Sequence, residues 1–242
     1  MENGRGIERE RGFKGEMVKT DIIPCSKEEI DKILEASIDN DFYYMLFSVA
    51  KTTGRRIGEL YGNQKKKEIG RKIIGKKIEY DENGKEIALS KTRAIYKRIP
   101  DEYEGGVQVK DIDFDKGIMK VWVLKRRKLI QDETILIPET LKTIRYYIVK
   151  NKLNSEDYLF RKVTYRGIQD AIGRYSKKAG IKHKVSMHNF RHHFVTELKR
   201  KGWTNDKISK LTGHKTPSVL SIYDHIVASD IKEDAIKDLK DI

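Results

Sequence analysis

Three short stretches of this chain carry residue types that handle phosphate and protons. The first is His188-Asn189-Phe190-Arg191-His192. On a helix, positions 188, 191 and 192 share one face. An arginine between two histidines suits an anion, because guanidinium gives a permanently charged, bidentate grip on phosphate. Imidazole beside it can donate a hydrogen bond or move a proton near neutral pH. His188 and His192 also have the i, i+4 spacing of a helical zinc pair. Asn189, however, stands where the metalloprotease pattern needs Glu, and Arg191 would set a positive charge beside the cation, so the expectation is no metal. A lone histidine is usually structural, but His183, His188, His192 and His193 crowd one short stretch. The second stretch is Leu211-Thr212-Gly213-His214, followed by Tyr223. Gly213 ends a helix and leaves His214 in a turn, and Thr216-Pro217 starts the short helix that carries Tyr223. Taken singly, Tyr223 reads as a half-buried core residue with a wet hydroxyl. The third stretch is Thr53-Gly54-Arg55-Arg56-Ile57-Gly58-Glu59-Leu60. Arg56 and Glu59 by themselves make only an ordinary ion pair.

The elements that must position these residues are mostly helices. Residues 1–20 mix charge and Gly without apolar periodicity and read as a flexible segment. Order is expected from Asp21. Ser26-Lys27-Glu28-Glu29 is a capping box, followed by Ile30, Ile33 and Leu34 at helical spacing. A second helix is predicted over 41–51, broken by Gly54, and a third opens at Arg56. Residues 62–105 are dense in Lys and Gly and read as a basic insertion, with a hairpin around Asn83-Gly84. Three strands follow, over 107–114, 118–124 and 134–137, the last two joined by a long basic tip from Lys125 to Glu133. Helices are expected over 139–151, 165–178, 187–201, 205–211, 218–223 and 230–239. The fold class is α+β, mainly α, with a small three-stranded antiparallel sheet.

Composition narrows the partners. Lys+Arg number 51 against Asp+Glu 37, a net charge of +14, which favours a polyanion such as nucleic acid. A solvated Lys/Glu-rich surface is the plainer alternative. No apolar run approaches a membrane span, and the first residues do not read as a secretory signal. One cysteine, Cys25, excludes an internal disulfide and a Cys-based zinc site and fits a reducing compartment. A cytoplasmic, nucleoid-associated protein is expected.

Together the motifs resemble the tyrosine recombinase, or phage integrase, family over about residues 21–240. Arg56 in its Gly-x-Arg-Ile-x-Glu-Leu setting is similar to the family's first box. His188-x-x-Arg191-His192, Gly213-His214 and Tyr223 are similar to the second, in order and spacing. Val109 to Phe114 and the hairpin after it look like the family's small sheet. The resemblance implies a catalytic domain that cuts and rejoins double-stranded DNA without metal or other cofactor. Tyr223 would be the nucleophile, forming a 3′-phosphotyrosyl link and freeing a 5′-hydroxyl. Arg56 and Arg191 would clamp the non-bridging oxygens, His188 would serve the proton transfers, and His214 would donate to a phosphate oxygen. Glu59 would orient Arg56 or a neighbour, and His192 would support packing. The family's general acid is a Lys on the hairpin after the second strand. Lys125 is the first choice and Lys128 the second. Arg126, Arg127 and Lys128 are candidate DNA contacts, as are Lys65, Lys66, Lys67 and Arg71 in the insertion, which resemble nothing in the family pattern. No N-terminal clamp domain is evident. Recombination (integration of viral or other elements, excision or dimer resolution) implies a homo-tetramer on DNA and a monomer or weak oligomer when free. A type IB topoisomerase-like nicking activity and a non-catalytic DNA-binding remnant are the competing readings.

Overall fold

The first helix opens where the capping box places it. In the computed structural model of the chain, which describes residues 25–80, 86–125, 128–214 and 217–224, the Ser26 hydroxyl accepts from the Glu29 amide at 3.1 Å. The Glu29 carboxylate accepts in return from the Ser26 amide at 2.9 Å. Helix α1 (Lys27–Ala36) then buries Ile30 and Ile33. Helix α2 (Asp41–Thr53) is capped by Asn40 and buried along most of its length. It is apolar all round because it is the central helix. Gly54 ends it in the left-handed conformation, φ 59°. Helix α3 (Ile57–Tyr61) follows at once.

The second half supplies the helices that pack on α2. Helices α4 (Pro138–Asn151), α5 (Tyr165–Lys178), α6 (Met187–Arg200) and α7 (Asn205–Thr212) follow in order. Helices α4 and α6 pack on α2, and α5 packs on α1. Phe47 of α2 stacks on Phe190 of α6 with ring centroids 5.6 Å apart. A smaller cluster of Val195, Ile208, Leu220 and Tyr223 joins α6, α7 and the last described turn. That turn, Pro217–Tyr223, is a 3₁₀ helix and falls where a short helix was expected over 218–223. No helix of the described residues is long and apolar enough to cross a membrane.

Between α3 and α4 lie two antiparallel sheets. Strands β1 (Asn63–Tyr80) and β2 (Glu86–Glu104) make the insertion one long two-stranded ribbon. Its root is held by Arg161, whose Nε donates to the Tyr61 carbonyl at 2.9 Å and whose Nη2 donates to the Gly105 carbonyl at 2.6 Å. Strands β3 (Ile112–Asp113), β4 (Ile118–Lys125) and β5 (Lys128–Ile135) form the three-stranded sheet, in that order. Two expectations are corrected here. The first strand does not run over 107–114, because the Gln108 amide donates to the Asp111 carboxylate at 2.8 Å and a 3₁₀ turn occupies Val109–Asp111. The third strand begins at Lys128, paired with Lys125, so the long basic tip expected over 125–133 is mostly strand. Its largely exposed face hid it, since an edge strand need not alternate cleanly. The flexible segment 1–20, the Asn83-Gly84 turn, Arg126, Arg127 and the helix expected over 230–239 lie outside the described residues.

A methyl group at Gly54 would meet the Phe194 ring at 2.4 Å, in a conformation that L side chains rarely adopt. Gly54→Ala is therefore expected to destabilise the fold by at least about 1–2 kcal/mol. Urea denaturation checks this, and a loss under about 0.5 kcal/mol would show that the cap is not constrained.

Candidate active site

Arg191 is the centre of the site. It lies on the inward face of α6, beside Phe190, and only 1% of its surface is exposed. Its Nη1 donates to two carbonyls, Gly54 at 2.9 Å and Thr212 at 2.8 Å. These are the ends of α2 and α7, and both helices stop in a left-handed glycine, Gly54 and Gly213. Terminal helix carbonyls lack intrahelical partners and carry partial negative charge. One buried cation thus satisfies two orphaned acceptors. Its Nε and Nη2 remain buried with no protein partner. Buried N–H groups are rarely left so, and an arginine with two unpartnered nitrogens is poised for an oxyanion. Burial first, and the neighbouring Arg56 second, lower its pKa to about 10, which leaves it charged at neutral pH.

Arg56 and Glu59 start α3 beside it. Arg56 Nη1 donates to the Glu59 carboxylate at 2.9 Å, and Glu59 is 3% exposed. The neighbouring Arg55, which sequence reasoning passed over, is fully buried. It donates to Asp132 at 2.8 Å and to the Glu133 carbonyl, both on β5. Its spacing to Glu59, i to i+4, was the available signal, and the two lie 3.7 Å apart. Arg55 thereby ties the start of α3 to the sheet that carries Lys128.

The histidines and Tyr223 close the other side. Tyr223 is 2% exposed, and its hydroxyl makes a short hydrogen bond with His192 Nδ1. His188 packs edge-on against His192, with centroids 4.4 Å apart. His192 therefore contacts the phenol directly, a role beyond the packing expected of it. Burial raises the Tyr223 phenol to about 12, against a smaller opposing pull from Arg191 and Arg56. Burial also lowers His192 to about 4, helped by His188 and Arg191. A neutral imidazole with its proton on Nε2 accepts at Nδ1, so the phenol donates. His188 is lowered by burial and by the two arginines. His214 is held at about 3 by burial and then by Arg191, Arg56 and the two histidines. Thr212 was not foreseen as a partner. Its hydroxyl donates to the Ile208 carbonyl at 2.6 Å and so receives the His214 Nδ1 proton at 2.5 Å. Donation from His214 Nε2 to an anion then requires a second proton or a turn of that hydroxyl.

A cleft of about 1530 Å³ is lined among others by Arg56, Lys128, His188, Arg191 and Gly213, with His192, His214 and Tyr223 lying behind that lining. That exceeds the roughly 300–1,000 Å³ of small-molecule sites and suits a polymer. Arg166 and Lys184 add positive charge at its wall. Lys125 pairs with Lys128 at the end of the β4–β5 ladder, and its side chain lies outside the described residues. Lys65 and Lys66 sit exposed on β1, away from the cleft lining, and the side chains of Lys67 and Arg71 are not described. Among the described residues, one group has metal-ligand proximity, Cys25, Glu29 and His183 at the start of α1. Glu29 is already engaged by Ser26 and by His183 at 2.8 Å. Burial, then Glu29, pushes the Cys25 thiol up to about 11, away from the thiolate a metal needs.

The neutral histidines make stability depend on pH. In the unfolded chain His192 and His214 take up protons near 6.5, but in the fold only near 4 and 3. The unfolded state binds more protons across that interval, so stability is full above about pH 6.5 and falls as pH drops toward 4. Thermal melts from pH 7.5 to 4.5 should show a falling Tm, and inorganic phosphate should oppose the fall. A flat profile over that range would contradict burial of neutral imidazoles.

The Phage integrase family model matches residues 105–229. Tyrosine recombinase XerA of Pyrococcus furiosus is 31% identical over 135 residues, 52% of this chain and 46% of that protein. A tyrosine recombinase of Pseudothermotoga lettingae is 25% identical over 215 residues, 87% of this chain and 58% of its own length. The chain thus spans about half the length of the curated relatives it matches. Among solved structures, that of XerA recombinase superposes with a TM-score of 0.61 at 23% identity, covering 91% of this chain and 65% of that one. XerH site-specific recombinase, in a post-cleavage complex with its palindromic difH substrate, superposes with a TM-score of 0.60 at 17% identity, covering 89% and 53%. At these identities the superpositions establish the tyrosine-recombinase catalytic fold.

Proposed function

This chain belongs to the phage integrase family, and we propose that it breaks and rejoins double-stranded DNA through a transient bond between Tyr223 and a DNA phosphate. The observation that carries this reading is Arg191, buried with two unpartnered nitrogens, beside Arg56 and the Tyr223–His192 pair. The phenol oxygen attacks phosphorus and the bond to the 5′-oxygen breaks. The phenolic proton leaves along the hydrogen bond to His192, with His188 packed behind it. The 5′-oxygen takes a proton from the Lys125–Lys128 pair. The cleaved bond's energy is kept in the 3′-phosphotyrosyl ester, so rejoining needs no energy source. Arg56 and Arg191 hold the non-bridging oxygens, where charge grows in the transition state. His214 donates to the same oxygens once the phosphate has favoured its protonated form.

Burial keeps Tyr223 a neutral phenol. A phosphate between the two arginines weakens their pull on the phenol, so its proton must leave through the hydrogen bond to His192. Strand exchange between two duplexes requires four copies of the chain on DNA, and a monomer or weak oligomer is the free form. No cofactor enters the scheme.

A nicked suicide duplex traps the intermediate. Wild type should give a covalent protein–DNA band on a denaturing gel, and Tyr223→Phe none, with DNA binding nearly unchanged. A band from Tyr223→Phe would sink the assignment of the nucleophile. Arg191→Ala should slow capture about 10²–10³-fold, as loss of one oxyanion donor does elsewhere.

The general acid is read from a 5′-phosphorothiolate substrate, whose sulfur leaves without a proton. Lys128 lines the cleft, so Lys128→Ala should slow cleavage of ordinary DNA and be rescued by sulfur. Rescue of Lys125→Ala alone would move the role to Lys125.

A further inference from the structure

The β1–β2 ribbon has no part in the chemistry above, and its charges are arranged in an unusual way. Residues 65–77 carry seven cations and one carboxylate, and residues 91–98 carry four cations and none. The other acidic residues of the insertion cluster at its two ends, 79–86 and 101–104. A surface kept soluble by charge intersperses the two signs. Here they are segregated into one basic stretch in the middle of the ribbon.

The ladder sharpens the point. Its register sets Lys66 opposite Arg98, Lys67 opposite Lys97 and Lys72 opposite Arg93. Like charges directly across an antiparallel pair destabilise it. Lysines on exposed edges do protect a ribbon from pairing with other chains, but that protection does not require cations at opposite positions of the register. Three such pairs are explained by a polyanion that neutralises them together. The ribbon leaves the cleft directly, since α3 runs into β1 and Asn63 lines the cleft. Its root is pinned by Arg161 and by an edge-on contact of Tyr103 with Tyr61 at 4.9 Å. Eighteen residues of extended strand reach about 60 Å, more than one turn of duplex at about 34 Å.

We infer that the ribbon is a second DNA-binding element, which lies along the sugar–phosphate backbone of duplex flanking the cleavage site. The inference rests on the DNA-cleaving reading of the cleft. The ribbon holds phosphates, so it adds affinity without base specificity.

The test compares the full chain with the variant K66Q/K67Q/K72Q/R93Q/K97Q/R98Q, on duplexes lengthened about one helical turn at a time around a nicked site. Wild-type affinity should rise with length and then level off. The variant should bind the longest duplex at least tenfold more weakly, and its affinity should depend less on salt, the slope falling by about 0.9 for each phosphate that is no longer neutralised. Covalent capture on the shortest cleavable duplex should be unchanged, and the variant's Tm without DNA should be no lower. A charge-conserving variant, with each Lys and Arg of the six exchanged for the other, should bind as wild type does. Equal affinity and equal salt slope for wild type and the Gln variant at every length would overturn the proposal, and so would an equal loss on duplexes too short to leave the cleft. Failure of the underlying reading looks different: no covalent capture by wild type on any duplex, whatever the length dependence.

Discussion

The site depends on one buried cation between two helix ends. Arg191 holds the carbonyls that terminate α2 and α7, and so brings both helix ends to the chemistry. A guanidinium buried this deeply is costly unless its charge is answered. Two helix C-termini answer part of it, through partial charges that are fixed in the fold. The rest is left for the substrate. The same contact positions the glycine turns at Gly54 and Gly213. The first leads into Arg56 and Glu59, the second into His214. One hydrogen-bonded residue therefore sets the placement of most of the others.

Around that cation the histidines and the phenol are kept neutral. His188, His192 and His214 are all pushed down, with burial the leading cause in each, and Tyr223 is pushed up by burial. The site thus sets two positive arginines, one of them paired with Glu59, among neutral histidines and a neutral phenol. A phosphate brings the missing negative charge, and it favours protonation of the same histidines that the arginines disfavour. Substrate binding and proton placement are coupled through Coulomb interactions over a few ångströms, in a poorly solvated setting where such interactions are strong. The Thr212 hydroxyl has a single proton to give, and its donation to Ile208 fixes which nitrogen of His214 is free.

Two further arginines do structural work at a distance from the phosphate. Arg55 joins α3 to β5, and so joins the arginine side of the cleft to the strand with Lys128. Arg161 joins the end of α3 to the returning strand of the ribbon. Each uses at least one backbone carbonyl as acceptor, Arg55 together with the Asp132 carboxylate, which ties the geometry to the chain path. An insertion rooted in this way is directed relative to the cleft.

Much of this was legible in the residue order. The capping box at Ser26, the helix stops at Gly54 and Gly213, and the trio His188, Arg191 and His192 on one face follow from local rules that act within a few residues. The family could be read from Arg56, His188, Arg191, His214 and Tyr223 because chemistry constrains their types and spacing together. What local rules could not reach was pairing. The third strand was hidden because its partner, not its own pattern, makes it a strand, and the insertion is a ribbon for the same reason. Nothing in the sequence near His192 tells that its Nδ1 meets a phenol 31 positions away. Nor does it tell that Arg191 closes on carbonyls 137 and 21 positions distant. Those contacts exist only once α2, α6 and α7 have packed, since a hydrogen bond between distant residues is decided by the burial that brings them together.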